Sequence, residues 1–121
     1  MKHNRAKKLA KKYTEWWVKW TGLGWWNVTS GYPDGINDGE VAGTCEARWE
    51  YLTAHIDFGI TALRHMSDSE IEYVVVHELM HVFLNEMREQ GQQHEERVAT
   101  LLAKAFIWVR DQTIEERKCL N

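Results

Sequence analysis

The segment that decides the fold is predicted to form one long helix and reads, over residues 67–83, Ser-Asp-Ser-Glu-Ile-Glu-Tyr-Val-Val-Val-His-Glu-Leu-Met-His-Val-Phe. Ser67 stands three residues before Glu70, which is the spacing of a capping box at a helix start. Apolar residues then recur close to the 3.6-residue period of a helix, at Ile71, Val74, Val75, Leu79, Val82 and Phe83. Because Gly91 is typical of a helix end, we expect this helix to span about 68–90.

The middle of this helix carries a His-Glu-x-x-His pattern, formed by His77, Glu78 and His81. Residues four apart lie on one face of a helix, so both imidazoles can reach one metal ion. Glu78 lies about 100° round the helix from His77, where a carboxylate can serve as general base to a metal-activated water. Two surface histidines flanking a helical glutamate would give the same letters, but the apolar residues on both sides favour a half-buried site.

Two histidines leave a catalytic zinc short of ligands, because such sites commonly use three protein ligands and one water. A short loop separates the motif helix from the next predicted helix, which begins near three potential ligands, His94, Glu95 and Glu96. A hairpin of two helices would bring these side chains back over the motif. A set of two histidines and one carboxylate also suits Fe²⁺, although the glutamate inside the motif favours zinc.

The remaining segments predict an α+β fold around this helical pair. Residues of about 4–20 read as an amphipathic helix whose apolar stripe consists of Leu9, Tyr13, Trp16, Trp17 and Trp20. A sheet is expected within about 25–60, with strands near 25–30, 43–50 and 51–60. The last helix is expected over about 94–117, with one face formed by Val98, Leu101, Leu102, Ala105 and Val109. We expect that face to pack against the N-terminal helix or the sheet.

Composition narrows the class of protein. The chain has 121 residues, about one domain, and its net charge of −3 provides no general attraction to nucleic acid. No apolar run resembles a secretory signal or a membrane span. Cys45 and Cys119 make no C-x-x-C pair and are interpreted as reduced thiols, with Cys45 as a small core or strand residue. We therefore expect a cytoplasmic protein without nucleic-acid or membrane partners. For any one of the seven tryptophans a core position is favoured over the alternative, a place in a substrate cleft.

The motif and the glutamates that follow it resemble the gluzincin class of zinc metallopeptidases. In that class the ligand glutamate lies in a frame with small residues three and seven places later, and Glu96 with Ala99 and Ala103 fits this frame. The resemblance therefore implies Zn²⁺ held by His77, His81 and Glu96, whereas Glu95→Ala would leave zinc affinity nearly unchanged. Thr100 stands where the class often has Asp or Asn, so a hydrogen bond from this position to a histidine ligand is expected to be weak or absent.

The wider order of elements, over about residues 25–105, resembles small zincin-like proteins often encoded by phages and prophages. This resemblance implies a minimal zincin-like fold: an N-terminal helix, a small, mostly antiparallel sheet, the motif helix and a glutamate-bearing helix, all in one domain over 1–121. It implies hydrolysis of a peptide or protein substrate, with Glu78 as general base and the strand 51–60 as the edge strand that holds the substrate. Candidates to stabilise the oxyanion are His55, His65, Tyr51 and Tyr73.

Larger relatives carry a further domain that supplies an oxyanion-stabilising residue, and this chain is too short to contain it. The alternative is therefore a zinc-binding protein on a zincin scaffold, acting as a phage-associated regulator or interaction module without general protease activity.

Overall fold

The computed structural model describes residues 2–85 and 92–120, except for the side chains of 92–94 and 116–120, and these residues form an α+β arrangement. In chain order the helices and strands are α1 (Lys2–Trp20), β1 (Asn27–Gly31), β2 (Gly43–Arg48), β3 (Thr53–Phe58), α2 (Ile60–Leu63), α3 (Asp68–Leu84) and α4 (Gln92–Leu120). Two short 3₁₀ turns, Leu23–Trp25 and Trp49–Tyr51, precede β1 and β3. The predicted α+β class and the order of elements are confirmed.

The sheet is mixed, so the prediction of a mostly antiparallel sheet was wrong. Its strand order is β1-β3-β2, with β1 parallel and β2 antiparallel to β3. The connection over 32–42 does not form a tight hairpin between β1 and β2, and β3 inserts between them. Because the connection between β1 and β2 is long, these two strands need not lie side by side. β1 is then free to pair in parallel with β3. The strand predicted over 51–60 is consequently the central strand and not an edge.

The motif helix begins as the sequence predicts. The Ser67 hydroxyl accepts a hydrogen bond from the Glu70 N–H (3.3 Å), and the Glu70 carboxylate accepts one from the Ser67 N–H (3.0 Å). This reciprocal capping satisfies two N–H groups that the helix itself leaves without partners. The helix ends at Leu84, earlier than predicted. The predicted stop at Gly91 lies outside the described residues.

The core lies between α3 and the inner face of the sheet. The inner face consists of alternate residues of β3, Ala54, Ile56 and Phe58, all of them buried. The side chains that α3 buries are spread over most of its circumference and are Ile71, Val75, Val76, Leu79, Met80 and Val82. Each such side chain contributes roughly 1.5–3 kcal/mol of burial free energy. A helix buried on so many sides fixes the position of the motif residues that it carries.

The N-terminal helix packs through its small residues and through part of the predicted apolar stripe. Ala6, Ala10 and Trp17 are buried, whereas Trp16 and Trp20 are exposed. Small side chains allow α1 to approach its neighbours closely, and this takes precedence over the burial of the larger rings. The preference for core positions was likewise wrong for most of the tryptophans, because Trp17 is buried, Trp26 is partly buried and the other five are exposed.

A partly buried ion pair joins the three long helices. Arg110 of α4 donates two hydrogen bonds to the carboxylate of Glu72 on α3, at 2.6 and 2.9 Å. The indole N–H of Trp17 on α1 donates to the same carboxylate at 2.9 Å. The guanidinium also lies 5.4 Å from the centre of the Trp17 ring, within cation–π range. This cluster sets where α4 lies against α3.

The last helix contacts α3 through its small residues and leaves its apolar face in solvent. Ala99 and Ala103 are fully buried, whereas Val98, Leu101 and Val109 are exposed. The expectation that this apolar face packs on the N-terminal helix or the sheet was therefore wrong. Among the described residues, no helix has the length and apolarity needed to cross a membrane.

Candidate metal centre

The helix α3 presents the two motif histidines on one side. Both lie within its continuous span, and the centres of the His77 and His81 rings are 5.1 Å apart. His81 is buried, and His77 is partly buried. The one-turn spacing therefore places two imidazoles side by side, with limited access to water.

The helix α4 brings a carboxylate to both rings. Glu96 Oε2 lies 3.2 Å from His77 Nε2, and Glu96 Oε1 lies 2.8 Å from His81 Nε2. One donor atom from each of the three residues falls within 4.8 Å of the others. The structure thus brings together the three residues that the sequence and the resemblance selected.

The donor set fits a small divalent transition metal. Nitrogen and oxygen ligands lie about 2.0–2.1 Å from zinc, so two ligands of a tetrahedral ion are about 3.3 Å apart. The distances from Glu96 Oε2 to His77 Nε2 and from Glu96 Oε1 to His81 Nε2 are close to that value, at 3.2 and 2.8 Å, whereas one donor atom from each of the three residues lies within 4.8 Å of the others. Two imidazoles and one carboxylate, with one position left for water, also match the composition of catalytic zinc sites.

A second glutamate fixes the orientation of His81. Glu95 is 8% exposed, and its Oε1 lies 2.7 Å from His81 Nδ1. When Nδ1–H donates to this carboxylate, the lone pair of Nε2 is left for a metal, and the ring is held in that tautomer. This contact argues against the prediction that Glu95→Ala would leave zinc affinity nearly unchanged. The consecutive pair Glu95–Glu96 was the available signal, since one helix can direct one carboxylate to each side of an imidazole.

A weaker contact orients the other histidine. Thr100 Oγ1 lies 3.4 Å from His77 Nδ1, at the long limit of a hydrogen bond. Thr100 thus occupies the position that the resemblance assigns to Asp or Asn, and its shorter neutral side chain makes a long contact, as expected. The two histidines are therefore held unequally, His81 by a buried carboxylate and His77 by a hydroxyl.

The surroundings of His77 favour its neutral form. Burial lowers the pKa of His77, and the neighbouring His81 lowers it further, although Glu96 opposes both effects. A neutral imidazole is the form that binds a metal, so less proton release is needed on binding.

Glu78 is the buried acid of the site. Its side chain lies against β2, where a Cβ built on Gly43 would be 3.1 Å from Glu78 Oε2. Burial raises the pKa of Glu78 to about 7, with His81 acting to lower it and Glu96 to raise it. A carboxyl group with a pKa near neutrality can both accept and return a proton, which is what a general acid–base catalyst requires.

The strand next to the motif is β2, so the prediction that the strand 51–60 is the edge strand at the site was wrong. β2 is an edge of the three-stranded sheet, and its Gly43 end meets Glu78. β3 is enclosed by β1 and β2 and has no open edge for an added strand.

The candidate oxyanion residues are scattered. His55 lies on the outer face of the sheet, bonded to Thr29 and Asp57, and alternate residues of a strand point to opposite faces. Tyr51 and His65 are exposed, with His65 beside Arg64. The Tyr73 ring lies 6.0 Å from the ring of His77. The side chain of His94, the other potential ligand, lies outside the described part of the chain.

Comparison of the chain with protein-family models, with curated proteins and with solved structures found no match. Any function assigned to the chain therefore rests on its own residues.

Proposed function

We propose that the chain is a zinc-dependent metallopeptidase, in which His77, His81 and Glu96 hold the metal and Glu78 is the general base. The observation that carries the proposal is the convergence of both imidazoles on one carboxylate, at 3.2 and 2.8 Å. A buried acid with a pKa raised to about 7 lies beside this cluster. A cluster of histidines and Glu96 that served only to stabilise the fold would not need a second acid, Glu78, beside it.

Each side chain has a separate task in the proposed reaction. His77, His81 and Glu96 would hold the zinc ion, which would supply an activated water and polarise the substrate carbonyl. Glu95 keeps His81 in the ligand tautomer through the 2.7 Å contact. Glu78 accepts a proton from the attacking water on its carboxylate and returns it to the leaving amine, and a pKa of about 7 leaves part of it ionised, and so able to act as the base, near neutral pH.

The outer edge of β2, which pairs with no further strand among the described residues, is the proposed docking position for an extended peptide. The Gly59 N–H donates to the Ala42 carbonyl at 2.9 Å, a pair that continues the register of β2 with β3. Bonded and non-bonded pairs alternate along an antiparallel ladder. The odd-numbered residues from Gly43 to Ala47 therefore direct their backbone groups away from β3, where an added strand would bond them. The Gly43 end of that strand lies against Glu78.

The first experiment separates metal binding from catalysis. Protein purified without chelator should hold close to one zinc per chain by elemental analysis, and His81→Ala should lose it. Glu78→Gln should keep the zinc and the fold but lose hydrolysis of a random peptide library read by mass spectrometry. Absence of zinc uptake by the wild-type chain, or wild-type turnover in Glu78→Gln, would overturn the proposal.

A second experiment tests the docking edge. A library peptide that the wild-type protein cleaves is added to the zinc-loaded Glu78→Gln variant, and amide hydrogen exchange is measured. Amides of 43–47 should exchange more slowly with the peptide, whereas those of β1, at the opposite edge, should not change. Protection confined to β1 or absent from both edges would show that substrate binds elsewhere.

The alternative is a zinc-binding regulator or interaction module without general protease activity. It is favoured by the position of His55 on the opposite face of the sheet and by the exposure of Tyr51, which leave Tyr73 as the sequence candidate beside the cluster. If zinc binds with full stoichiometry and no library peptide is cleaved, this alternative is correct.

A further inference from the structure

The outer side of α4 is an apolar surface without a covering element among the described residues. Leu101 is 60% exposed and Trp108 is 63% exposed, although both are among the side chains that normally contribute most to a core. The set, termed here the α4 stripe, consists of Val98, Leu101, Ala105, Trp108 and Val109, all exposed. These residues lie on the side of the helix away from Ala99 and Ala103, which face α3.

The spacing of the α4 stripe is that of a helix–helix seam. Val98 and Ala105 are seven residues apart, and so are Leu101 and Trp108. Alternating steps of three and four residues define the a and d positions of a heptad repeat. The stripe therefore has the periodicity of a surface that packs along another helix, and not that of scattered exposed residues.

We propose that this stripe is the interface between two copies of the chain, packed with their α4 helices antiparallel about a two-fold axis. Such an interface uses the same patch on both copies, so the patch must be complementary to itself. The α4 stripe meets this requirement in the size of its residues, and the residues that flank it meet it in charge.

Side-chain sizes match in the antiparallel register centred between residues 101 and 105. Leu101 then lies opposite Ala105 of the second copy, and Val98 lies opposite Trp108 of the second copy. Each layer pairs a smaller with a larger side chain, which is how facing positions fill space without voids. On the flank of the stripe, Leu102, partly buried in the single chain, meets Leu102 of the second copy.

Charges match in the same register. Arg97 and Asp111 are exposed and occupy equivalent heptad positions beside the stripe, so that Arg97 lies opposite Asp111 of the second copy at both ends of the seam. A parallel pair would instead place Arg97 and Lys104 beside Leu102 and Val109 of the second copy, with no charge pairing. Charge pairs at flanking positions select orientation, and they select the antiparallel one here.

The dimer has one unfavourable contact. The candidate metal centre lies outside the dimer interface. Lys104 lies near Lys104 of the second copy at the two-fold axis, but its long stem can carry the ammonium into solvent. Glu96 lies about 160° round α4 from Val98, so the carboxylate faces α3 while the stripe faces the second copy. Dimer formation and metal binding are therefore expected to be independent.

Sedimentation velocity over a range of protein concentrations tests the proposal. The wild-type chain should be a dimer at concentrations where Leu101→Glu is a monomer, with dimer affinity reduced at least about tenfold because a charge enters the seam. Ile114→Glu is the matched control, since Ile114 is also exposed on α4 but lies off the stripe; its dimer affinity should be that of the wild type. A wild-type chain that stays monomeric at about millimolar concentration, as it would if another protein covered the stripe, overturns the proposal.

Charge reversal tests the register independently of folding. Arg97→Asp and Asp111→Arg should each weaken the dimer, and the double reversal should restore it to near wild-type affinity. Lys104→Gln should tighten the dimer, because it removes the like-charge contact at the axis. Failure of the double variant to recover, with thermal melts showing that it is folded, rules out the antiparallel register.

Discussion

Gly43 of β2 approaches the side chain of Glu78 so closely that a Cβ at position 43 would lie 3.0 Å from Glu78 Cγ and 3.1 Å from Oε2. Carbon atoms in favourable contact are about 3.5–4.0 Å apart. The absent side chain at Gly43 therefore makes room for the carboxylate, and this strand lies directly against it. The buried state of Glu78 depends on a glycine in a neighbouring element.

Gly43→Ala should move the Glu78 carboxylate while leaving the three ligand residues in place. Hydrolysis is expected to fall by about tenfold or more, because small displacements of a catalytic group have large effects on rate. Zinc content should stay unchanged. Turnover against the library peptide measures the effect, and Gly24→Ala is the control, since a Cβ there would contact no heavy atom within 4 Å. Equal turnover in the two variants would mean that the contact does not position Glu78.

Glu78→Gln should stabilise the metal-free protein at high pH and not at low pH. The pKa of Glu78 rises from 4.5 to about 7 on folding because of burial, so between these values the folded state binds the proton that the unfolded state has lost. The contribution of protonated Glu78 to wild-type stability is therefore full below pH 4.5 and is lost as pH rises through 7. One pKa unit corresponds to about 1.4 kcal/mol, so the difference at pH 8 should approach about 3 kcal/mol.

The measurement is the urea denaturation of wild type and Glu78→Gln in the presence of chelator, at pH 4.5 and at pH 8. The difference between the two proteins cancels the titration of the other groups, since Gln has the shape of a protonated Glu. A difference that does not change with pH would show that Glu78 is ionised without cost in the folded chain.

The local features of the fold could be predicted from the sequence because their causes lie within a few residues. The capping box of Ser67 and Glu70 and the 3.6-residue period after it set the start of α3. The sheet order was not predictable in this way. The parallel pairing of β1 with β3 depends on where the connection over 32–42 leads the chain, and turn residues indicate a bend without its direction.

The site was predictable where spacing alone determines geometry. His77 and His81 must share a face of any helix, and Glu96 was selected by the small residues Ala99 and Ala103, which lie against α3. The contact of Glu95 with His81 was not predicted, because adjacent helical residues differ by about 100° in direction. Which of two neighbouring carboxylates meets the metal side of an imidazole depends on the rotation of α4, and packing sets that rotation.

Glu95→Ala should weaken zinc binding by about 10–100-fold, the usual effect of removing a carboxylate that orients a histidine ligand. Glu95 Oε1 is 2.7 Å from His81 Nδ1, and without it the ring is free to rotate or change tautomer. Glu96→Ala should weaken binding further, because a ligand itself is lost. Competition against a fluorescent chelator gives both affinities. If Glu95→Ala loses more affinity than Glu96→Ala, Glu95 is the ligand and the order of the two roles is reversed.

The cluster that joins α4 to α3 should be strongly coupled in a double-mutant cycle. Arg110→Leu leaves the buried carboxylate of Glu72 with the Trp17 indole as its remaining donor among the contacts of this cluster, and breaking a buried pair costs about 3–5 kcal/mol. Replacing Glu72 and Arg110 together by Leu should cost less than the sum of the single changes, with a coupling of about 1–3 kcal/mol by urea denaturation. The exposed pair Arg5–Asp68 is the control, with an expected coupling below about 1 kcal/mol.

Since the cluster joins α4 to α3, Arg110→Leu should also weaken zinc binding, even though Arg110 is not a ligand. Equal couplings for the two pairs, together with unchanged zinc affinity, would show that α4 is positioned by Ala99 and Ala103 alone.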